Sequence, residues 1–551
     1  MKMKINLFRW GALGFVILGL SGTFFSCADK VGDSEINMIQ GSSDTVSTSQ
    51  VALGMLKEGM MLMHDTREHK YQYQFNLHID AYAGYFTVAN NLEGRIPSTY
   101  FINPDFESGP ITSFLWVANQ VVPVMNSAEK LKRPDLGAIA NMMLCFMTAE
   151  CVDIYGPMPY FEYRKLKSDP PMTYNTVEEI YNDLFIQLKN VNETLKNIDI
   201  TTEERSEFAK MDLIGQGDFN IWRKFANTLR LRLAMRISKV APDKAKEEAE
   251  AAVKDGVLDN NDENITLYGY RFKNLQVISQ QWGDTRLGAS LQNILECLAH
   301  PYLSKYFAAH LVSTDKNGIA VAMPEGRSDR MGIRPGTSVP SKSGVNPYAS
   351  FSGLSSDIGN MPLCFMKVCE AYFLRAEGVL RGWQMGDKNN ASTFYTTAIR
   401  VSFLKENLGE TSDMNNYYSH TYTSKPYIDL YDAGNNYDNP QGLISIQTKW
   451  DDKASNEEKL ERIITQKYVA NFPLGLEAWS EFRRTGYPHL IPVSYDGGDF
   501  SIPEGGYIRR MIFQRTGSAE PADVERTGVP ALNGPDEQAT RLWWDVDVPN
   551  I

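Results

Sequence analysis

The sequence predicts a mainly α-helical protein built from helical hairpins, with long irregular loops between them. Apolar residues recur at helical spacing in several segments, whereas the period-two alternation typical of strands is hard to find. The stretches 311–360 and 407–445 are rich in Gly, Pro, Ser and Asn and contain no long periodic run. Loops of this length in a compact body are usually functional. We therefore expect ordered loops that carry the function.

Two segments show the helical signal most clearly. Within 221–237 the apolar side chains fall at helix spacing, and arginines fill the remaining positions. Residues 176–196 begin with Thr176 and Glu179, whose spacing is that of a capping box, and an apolar face follows. Both segments are predicted to be helices.

A helical hairpin is predicted near the middle of the chain. Segments 366–381 and 389–405 each show one apolar face, and a turn near Gly386 separates them. The pair resembles a tetratricopeptide-like hairpin. No clean period repeats along the whole chain, so a regular solenoid is not predicted.

The N-terminus has the order of a secretory leader. A short basic start precedes the apolar run 10–20, which is too short to span a bilayer as a permanent helix. Ser26 and Cys27 end this region and resemble a bacterial lipobox, although Phe24 stands where leucine is usual. We predict that 1–26 is a lipoprotein signal peptide and that Cys27 is lipidated. The alternative is an ordinary leader in which the cysteine occurs by chance.

The remaining chain is predicted to contain a tether and one domain. Residues 27–50 are rich in Ser, Asp and Thr and poor in apolar residues, which is typical of a flexible tether behind a lipid anchor. Residues 51–551 are predicted to form a single α-helical domain. Length alone would permit more than one.

Charge and cysteine usage exclude several classes of protein. The formal net charge is −12, which argues against nucleic acid as a partner. Five cysteines remain beside Cys27, and none is spaced as in a zinc site. An odd number cannot all pair, and most lie in apolar helical stretches, so we expect buried thiols rather than a disulfide framework. They are Cys145, Cys151, Cys297, Cys364 and Cys369.

Several segments together resemble the SusD/RagB family of outer-membrane nutrient-binding lipoproteins, and its second SusD-like branch in particular. The longest is 463–490, in which a helix, a Phe-Pro break and a second helix lead into an Arg-Arg-Thr-Gly-Tyr-Pro run. The others are DIYGPMPY at 153–160, NTLRLRLAMRIS at 227–238, PLCFMKVCEAYFLRAEGVLRGW at 362–383, GGYIRRMIFQ at 505–514 and TRLWWD at 540–545. We expect most of these residues to serve the scaffold rather than the ligand.

The resemblance implies a function and a location. A member of this family would sit on the outer membrane through its lipid anchor and face the cell exterior. It would bind an oligosaccharide and deliver it to a SusC-like TonB-dependent transporter, without catalysis and without a cofactor. Some members handle peptides instead, and this alternative stays open. A surface-anchored glycan hydrolase is a second alternative.

Sugar recognition requires aromatic rings that are held rigid but left uncovered, with polar groups at their edges. Two regions meet this requirement. Segment 78–91 presents Tyr82, Tyr85 and Asn90, and a core helix face is the alternative for its tyrosines. Segment 280–288 presents a polar loop with an aromatic ring, formed by Trp282, Asp284 and Arg286. These six residues are the predicted ligand site.

Catalytic and metal motifs are absent from the sequence. It contains no HExxH, GxSxG, P-loop or GxGxxG motif. Its many acids specify no pair of carboxylates for glycoside hydrolysis. Segment 259–264 begins like a calcium loop, but Asn264 occupies the position that needs glycine. We therefore predict no catalytic residue and no metal site.

Overall fold

A computed structural model describes residues 43–551 with short gaps. The gaps are 92–103, 168, 261, 311, 312, 315, 318, 322–326, 342–344, 410, 495–501, 503–505 and 516–519.

Helices dominate the described residues. The longer ones are α1 (Ser49–Met63), α2 (Gly109–Leu131), α3 (Pro134–Tyr155), α4 (Val177–Lys196), α5 (Thr202–Met211), α6 (Phe219–Arg236), α7 (Pro242–Asp255), α8 (Ala289–Cys297), α9 (Val368–Leu380), α10 (Ala391–Lys405), α11 (Thr411–Ser419), α12 (Asn456–Asn471) and α13 (Gly475–Thr485). Short α-helical turns are Glu68–Tyr71, Ile79–Tyr82, Pro104–Glu107, Tyr160–Tyr163, Lys273–Gln276, Tyr302–Tyr306, Pro521–Asp523 and Val529–Leu532. The π-helical turns are Gln72–Asn76, Val277–Trp282 and Val524–Gly528, and the 3₁₀ turns are Pro347–Ser350, Ser356–Asn360, Ala433–Asn435 and Pro440–Gly442.

The strands form small antiparallel ribbons. They are β1 (Phe86–Val88), β2 (Ile265–Arg271), β3 (Thr285–Leu287), β4 (Ser313–Thr314), β5 (Ala320–Val321) and β6 (Pro362–Met366). β1 pairs with β3, β2 with β6, and β4 with β5. Residues 362–366, of which Met366 was expected to begin a helix, therefore form a strand instead, and α9 begins at Val368.

The long helices pack as successive hairpins. α2 packs on α3, α3 on α4, α4 on α6 and α6 on α7, and further along the chain α9 packs on α10 and α12. The expected capping box is present, since Thr176 accepts a hydrogen bond from the Glu179 amide and the Glu179 side chain accepts one from Thr176. The mainly α-helical fold with tetratricopeptide-like hairpins is confirmed.

One continuous hydrophobic core runs through these helices, from Val46 near the N-terminus to Trp544 near the C-terminus. α3 is the one helix in the described part that is long and apolar enough to cross a membrane, but 83% of its most apolar window is buried inside the fold. It is thus a core helix. The five described cysteines are free and buried, as expected.

The folded body begins before the expected boundary at residue 51. α1 starts at Ser49, and the side chain of Thr48 caps it by accepting from the Val51 amide. Val46 is buried, and its amide donates to the Ser127 hydroxyl at 2.8 Å. Residues 1–42, which include Cys27, lie outside the described residues, so the signal peptide and the lipidation of Cys27 remain predictions.

A buried ionic network fastens α13 to α6 and α9. Arg484 donates to both Glu377 and Glu481 at 2.7 Å, and Arg236 pairs with Glu477 and Glu481. All five side chains are buried. These ion pairs fix α13 against α6 and α9, so the residues that form them serve the scaffold.

Arg483 behaves differently from its neighbour in the Arg-Arg pair. Its guanidinium donates to the backbone carbonyls of Asp153 and Arg509, at 2.7 and 2.8 Å, and stacks 3.6 Å from the centroid of the Trp479 ring. Burial lowers the pKa of Arg483 to about 9, although Asp153 and Asp545 act in the opposite direction. Arg483 therefore serves packing rather than the carboxylate network.

Candidate functional site

The two segments predicted to form the ligand site lie side by side. β1 and β3 pair in antiparallel register, with Thr87 opposite Arg286. The ribbon continues at both ends, because the Ala89 amide donates to the Asp284 carbonyl and the Gly288 amide donates to the Tyr85 carbonyl. Segments almost 200 residues apart in the chain are thereby joined into one local structure.

Side-chain hydrogen bonds lock this ribbon. The Asp284 carboxylate accepts from the side-chain amides of Asn90 and Gln72, both at 3.0 Å. The Thr87 hydroxyl donates to the Ile333 carbonyl at 2.9 Å. Asn90, Gln72 and Asp284 are all buried, so these amides and the carboxylate form a rigid polar frame rather than direct ligand contacts.

Arg286 extends the frame toward the next loop. Its guanidinium donates to the carbonyls of Thr285 at 2.8 Å and Ala349 at 2.9 Å, and its Nε atom lacks a partner. No carboxylate among the described residues lies within ion-pair distance of this guanidinium. Burial lowers the pKa of Arg286, and the nearby Asp284 offsets the effect only in part. The buried Arg286 guanidinium therefore connects β3 to the loop around residue 349 through these carbonyls.

Of the three aromatic residues predicted for the ligand site, Trp282 is the one whose side chain stays partly accessible. It is the last residue of the π-helical turn Val277–Trp282, and Gly283 ends that turn in the left-handed conformation, with φ +72°. Its side chain packs partly against the main core and is half-buried. The turn thus holds one edge of the indole while leaving part of it uncovered.

The structure corrects the prediction for Tyr82 and Tyr85. Tyr82 is 6% exposed, and its ring centroid lies 5.4 Å from that of Trp479. Tyr85 is fully buried and donates its hydroxyl proton to the Tyr468 carbonyl. Both are core residues, because the turn that carries Tyr82 packs against α13. Neither ring offers a face to a ligand.

The loops beside the ribbon have a small core of their own. Ala89, Ile333, Tyr348, Phe351 and Leu430 belong to a hydrophobic cluster that is separate from the main core. Such satellite clusters typically lie under long loops. This one joins residues of the two long stretches, since Tyr348 lies in 311–360 and Leu430 in 407–445.

Asp429 ties these loops together. Its carboxylate accepts hydrogen bonds from the Tyr348 hydroxyl at 3.0 Å, the Asn435 side chain at 2.9 Å and the amides of Tyr431 and Asp432. Burial raises the pKa of Asp429, and these hydrogen bonds oppose the shift. The loop around 429 is therefore fixed on the loop around 348.

Accessible groups of these loops lie next to the ribbon. The Asn346 side chain donates to the Ala89 carbonyl at 2.7 Å, and its neighbour Val345 is 95% exposed. The half-buried Tyr431 ring lies 5.3 Å from the Tyr348 ring. We call these accessible residues around the ribbon, Trp282, Val345, Asn346 and Tyr431, the loop face.

Sequence reasoning missed the contribution of residues 345–346 and 431 to this surface. The run 427–438 combines tyrosines with Asn and Asp residues, which is the composition expected of a sugar site. The sequence predicts it only as part of a long loop, because nothing in the local pattern shows that it meets residue 348.

The described residues offer no evident metal centre. They contain no group of three or more His, Cys, Asp or Glu side chains placed to hold an ion. In the segment that begins like a calcium loop, Lys224 pairs with Asp259 at 2.7 Å and with Glu263 at 2.6 Å. A lysine ammonium thus neutralises the carboxylates that a calcium ion would need.

Comparisons with solved structures agree with this architecture. A chitin-binding SusD homologue from Flavobacterium johnsoniae superposes with a TM-score of 0.78 at 32% identity, covering 90% of this chain and 100% of that one. SusD homologues from Bacteroides thetaiotaomicron and Bacteroides vulgatus have TM-scores of 0.76 and 0.78 at 27% and 26% identity, covering 90% and 91% of this chain and 99% and 98% of theirs. No curated protein sequence matches the chain.

The family assignment rests on most of the chain. The model of the SusD-like family, described as SusD and RagB outer membrane lipoprotein, matches residues 33–545. This range includes both strands of the β1–β3 ribbon and the buried network of α13. The chain belongs to the SusD-like family and is a lipid-anchored outer-membrane protein.

Proposed function

We propose that this lipoprotein binds an oligosaccharide at the loop face and delivers it to a SusC-like TonB-dependent transporter. The observation that carries the proposal is the half-buried Trp282 beside the polar frame of Asp284 and Arg286. A sugar ring packs its C–H face on an aromatic ring, and the ring must be rigid for little entropy to be lost on binding. The π-helical turn supplies that rigidity.

The rest of the loop face suits the edges of a sugar. Asn346 offers an amide for hydroxyl groups, while Val345 and the Tyr431 ring offer apolar contact. Because the members of this surface come from three separate loops, the shape of the site depends on the ties made by Asp429 and Asn346.

Chitin is the first ligand to test. The relative from Flavobacterium johnsoniae is a chitin-binding protein and shares 32% identity over 90% of this chain. A polymer of N-acetylglucosamine carries the apolar ring faces and amide edges that the loop face would recognise.

Binding without hydrolysis is part of the proposal, as is the lipid anchor at Cys27. The buried carboxylate of Asp284 is held by two amides, so it serves as a frame and not as an acid or base. A signal peptide of residues 1–26 would leave Cys27 at the mature N-terminus, facing the cell exterior. The tether would then keep the body near its transporter and raise its effective concentration there.

The test is the affinity of the purified chain for chitohexaose, measured by isothermal titration calorimetry. We expect Trp282→Ala to weaken binding about tenfold or more, since truncating a hot-spot tryptophan commonly costs about 2 kcal/mol or more and about 1.4 kcal/mol corresponds to tenfold. Trp543→Ala removes a half-buried tryptophan near the C-terminus and is the matched control.

Two results would contradict the proposal. Equal affinity of the wild type and Trp282→Ala would remove Trp282 from the site. Release of shorter oligosaccharides from chitohexaose at catalytic rates would show a hydrolase instead. A panel that adds other glycans and peptides identifies the ligand class if chitohexaose is not bound.

A further inference from the structure

A second surface with the chemistry of a sugar site lies on the β2–β6 ribbon. Ile265 and Leu267 of β2 are buried, whereas Thr266 is partly accessible and Tyr268 is 60% exposed. The burial of residues 265–268 alternates along the strand, which places Thr266 and Tyr268 on the same side of β2, although the pairing of β2 with β6 is irregular between Thr266 and Arg271. Among the described residues, no other aromatic side chain is as exposed as that of Tyr268.

A polar pocket opens at Thr266, two residues before this tyrosine in β2. Thr266 lines it together with Asn264, Pro362, Lys405 and Glu406, and its volume is about 130 Å³. One water molecule occupies about 30 Å³ in the liquid. The pocket is therefore large enough for a small ring with several hydroxyl groups.

The charges around the pocket favour a neutral ligand. Lys405 pairs with Asp262 at 3.2 Å, and Lys367 pairs with Glu406 at 3.0 Å. Lys367 also donates to the carbonyls of Ala470 and Phe472, so its three protons are all used. An anion would meet two carboxylates and a cation two ammonium groups, whereas hydroxyl groups can both donate to and accept from this lining.

We propose that the β2–β6 ribbon is a second saccharide-binding site, in which a sugar ring stacks on Tyr268 and its neighbour places hydroxyl groups in the pocket beside Thr266. The proposal rests on the oligosaccharide function proposed for the loop face. It adds a site that shares no residue with that surface.

The two sites lie within reach of one polymer chain. β2 is followed by the helical turns Lys273–Gln276 and Val277–Trp282, the second of which ends at the loop-face tryptophan. At about 1.5 Å per residue this helical run spans roughly 15 Å, and the extended residues 268–272 add at most about 17 Å, so Tyr268 and Trp282 lie no more than about 32 Å apart. A polysaccharide that contacts both sites gains affinity through effective concentration without any new contact.

The experiment titrates chitotriose into the full mature chain and compares Tyr268→Ala with Trp282→Ala. We expect two binding sites in the wild type and one in each variant. With polymeric chitin, we expect Tyr268→Ala to weaken binding about tenfold.

Phe161→Ala is the control, because it removes another exposed aromatic ring that is 39% accessible and lies outside both surfaces. Lys405→Ala alters the pocket and keeps the Tyr268 ring. It should also weaken saccharide binding at the β2–β6 ribbon.

The outcomes separate the two proposals. If Tyr268→Ala keeps the stoichiometry and polymer affinity of the wild type while Trp282→Ala loses all binding, the ribbon site is overturned and the loop-face site stands. If Trp282→Ala changes nothing and Tyr268→Ala abolishes binding, the ribbon site stands and the loop face is overturned. A wild type that binds neither chitotriose nor any other glycan of the panel overturns both.

Discussion

The Asn90 side chain donates a hydrogen bond to the Asp284 carboxylate at 3.0 Å, and this contact joins two segments 194 residues apart. The same carboxylate accepts from Gln72. One buried acid therefore connects the π-helical turn near residue 72, the end of β1 and the start of β3. The position of Trp282, two residues before Asp284, depends on this connection.

Replacing Asp284 with alanine should destabilise the fold and weaken glycan binding together. The substitution leaves the amides of Asn90 and Gln72 with unsatisfied buried donors, at about 1–3 kcal/mol for each group. We expect a loss of about 2 kcal/mol or more in the free energy of unfolding, measured by urea denaturation, and weaker chitohexaose binding by calorimetry.

Asp284→Asn keeps one oxygen acceptor, so its effect should be smaller. Asp199→Ala changes an exposed aspartate and should leave both measurements unchanged. If Asp284→Ala binds and unfolds like the wild type, the carboxylate does not hold the ribbon.

The sequence was sufficient for the helices and insufficient for the loop face. Helical spacing and the capping box at Thr176 predicted α4 and α6, because both signals are local. The loop face depends on contacts such as Tyr348 with Asp429, which are 81 residues apart and leave no periodic signal. Local patterns cannot report such pairs.

Tyr82 and Tyr85 illustrate a second limit. Their spacing of three shows that they share a helix-like face, but it does not show whether solvent or another helix covers that face. α13 packs there, and Trp479 meets the Tyr82 ring. Proximity of aromatic residues in sequence thus selected two rings that are buried in the core.

Removing the charge of Glu377 should strongly destabilise the protein. Its two carboxylate oxygens each accept from Arg484 at 2.7 Å, and Oε1 also accepts from Arg381. Breaking a buried ion pair by removing one partner typically costs about 3–5 kcal/mol. We expect a loss of this size for Glu377→Gln, measured by urea denaturation. The exposed Glu203→Gln is the control.

The same pair predicts part of the acid sensitivity. Burial alone would raise the pKa of Glu377, but Arg484 and Arg381 outweigh it and hold this pKa below its usual value. The stabilisation is therefore present above the unfolded-state pKa of about 4.3 and is lost as the pH falls further. Wild-type stability should decline below that pH, and Glu377→Gln should decline less. Parallel pH curves would exclude Glu377 as a contributor.

Cys27→Ala should release the protein from the membrane. If Cys27 is acylated, its lipid chains anchor the mature protein, since each buried CH₂ contributes about 0.8 kcal/mol. We expect the variant to lose metabolic labelling with a palmitate analogue and to leave the outer-membrane fraction. Ser26→Ala keeps a small residue before the cysteine and should behave like the wild type. Labelling that persists in Cys27→Ala would place the lipid elsewhere.

Asp80 should make the protein less stable as the pH rises. It lines a buried cavity of about 30 Å³ with His64, Glu150, Arg232 and other groups. Neither of its carboxyl oxygens has a hydrogen-bond partner. Burial raises its pKa from 3.8 to about 8, and the nearby Asn76 side chain and Gly475 backbone offset this only in part.

The sign of this pH effect follows from the raised pKa. In the folded state the Asp80 carboxyl stays protonated between about pH 4 and pH 8, whereas in the unfolded chain it ionises. Folding therefore becomes less favourable by up to about 1.4 kcal/mol for each pH unit across that window.

Asp80→Asn is neutral at every pH and should remove this dependence, so the variant should be more stable than the wild type at pH 8 and similar to it at pH 4. Thermal unfolding of the variant and of the wild type at several pH values measures this difference. Asp199→Asn, an exposed change, should follow the wild type. A constant difference between Asp80→Asn and the wild type from pH 4 to pH 8 would mean that Asp80 is ionised in the folded protein.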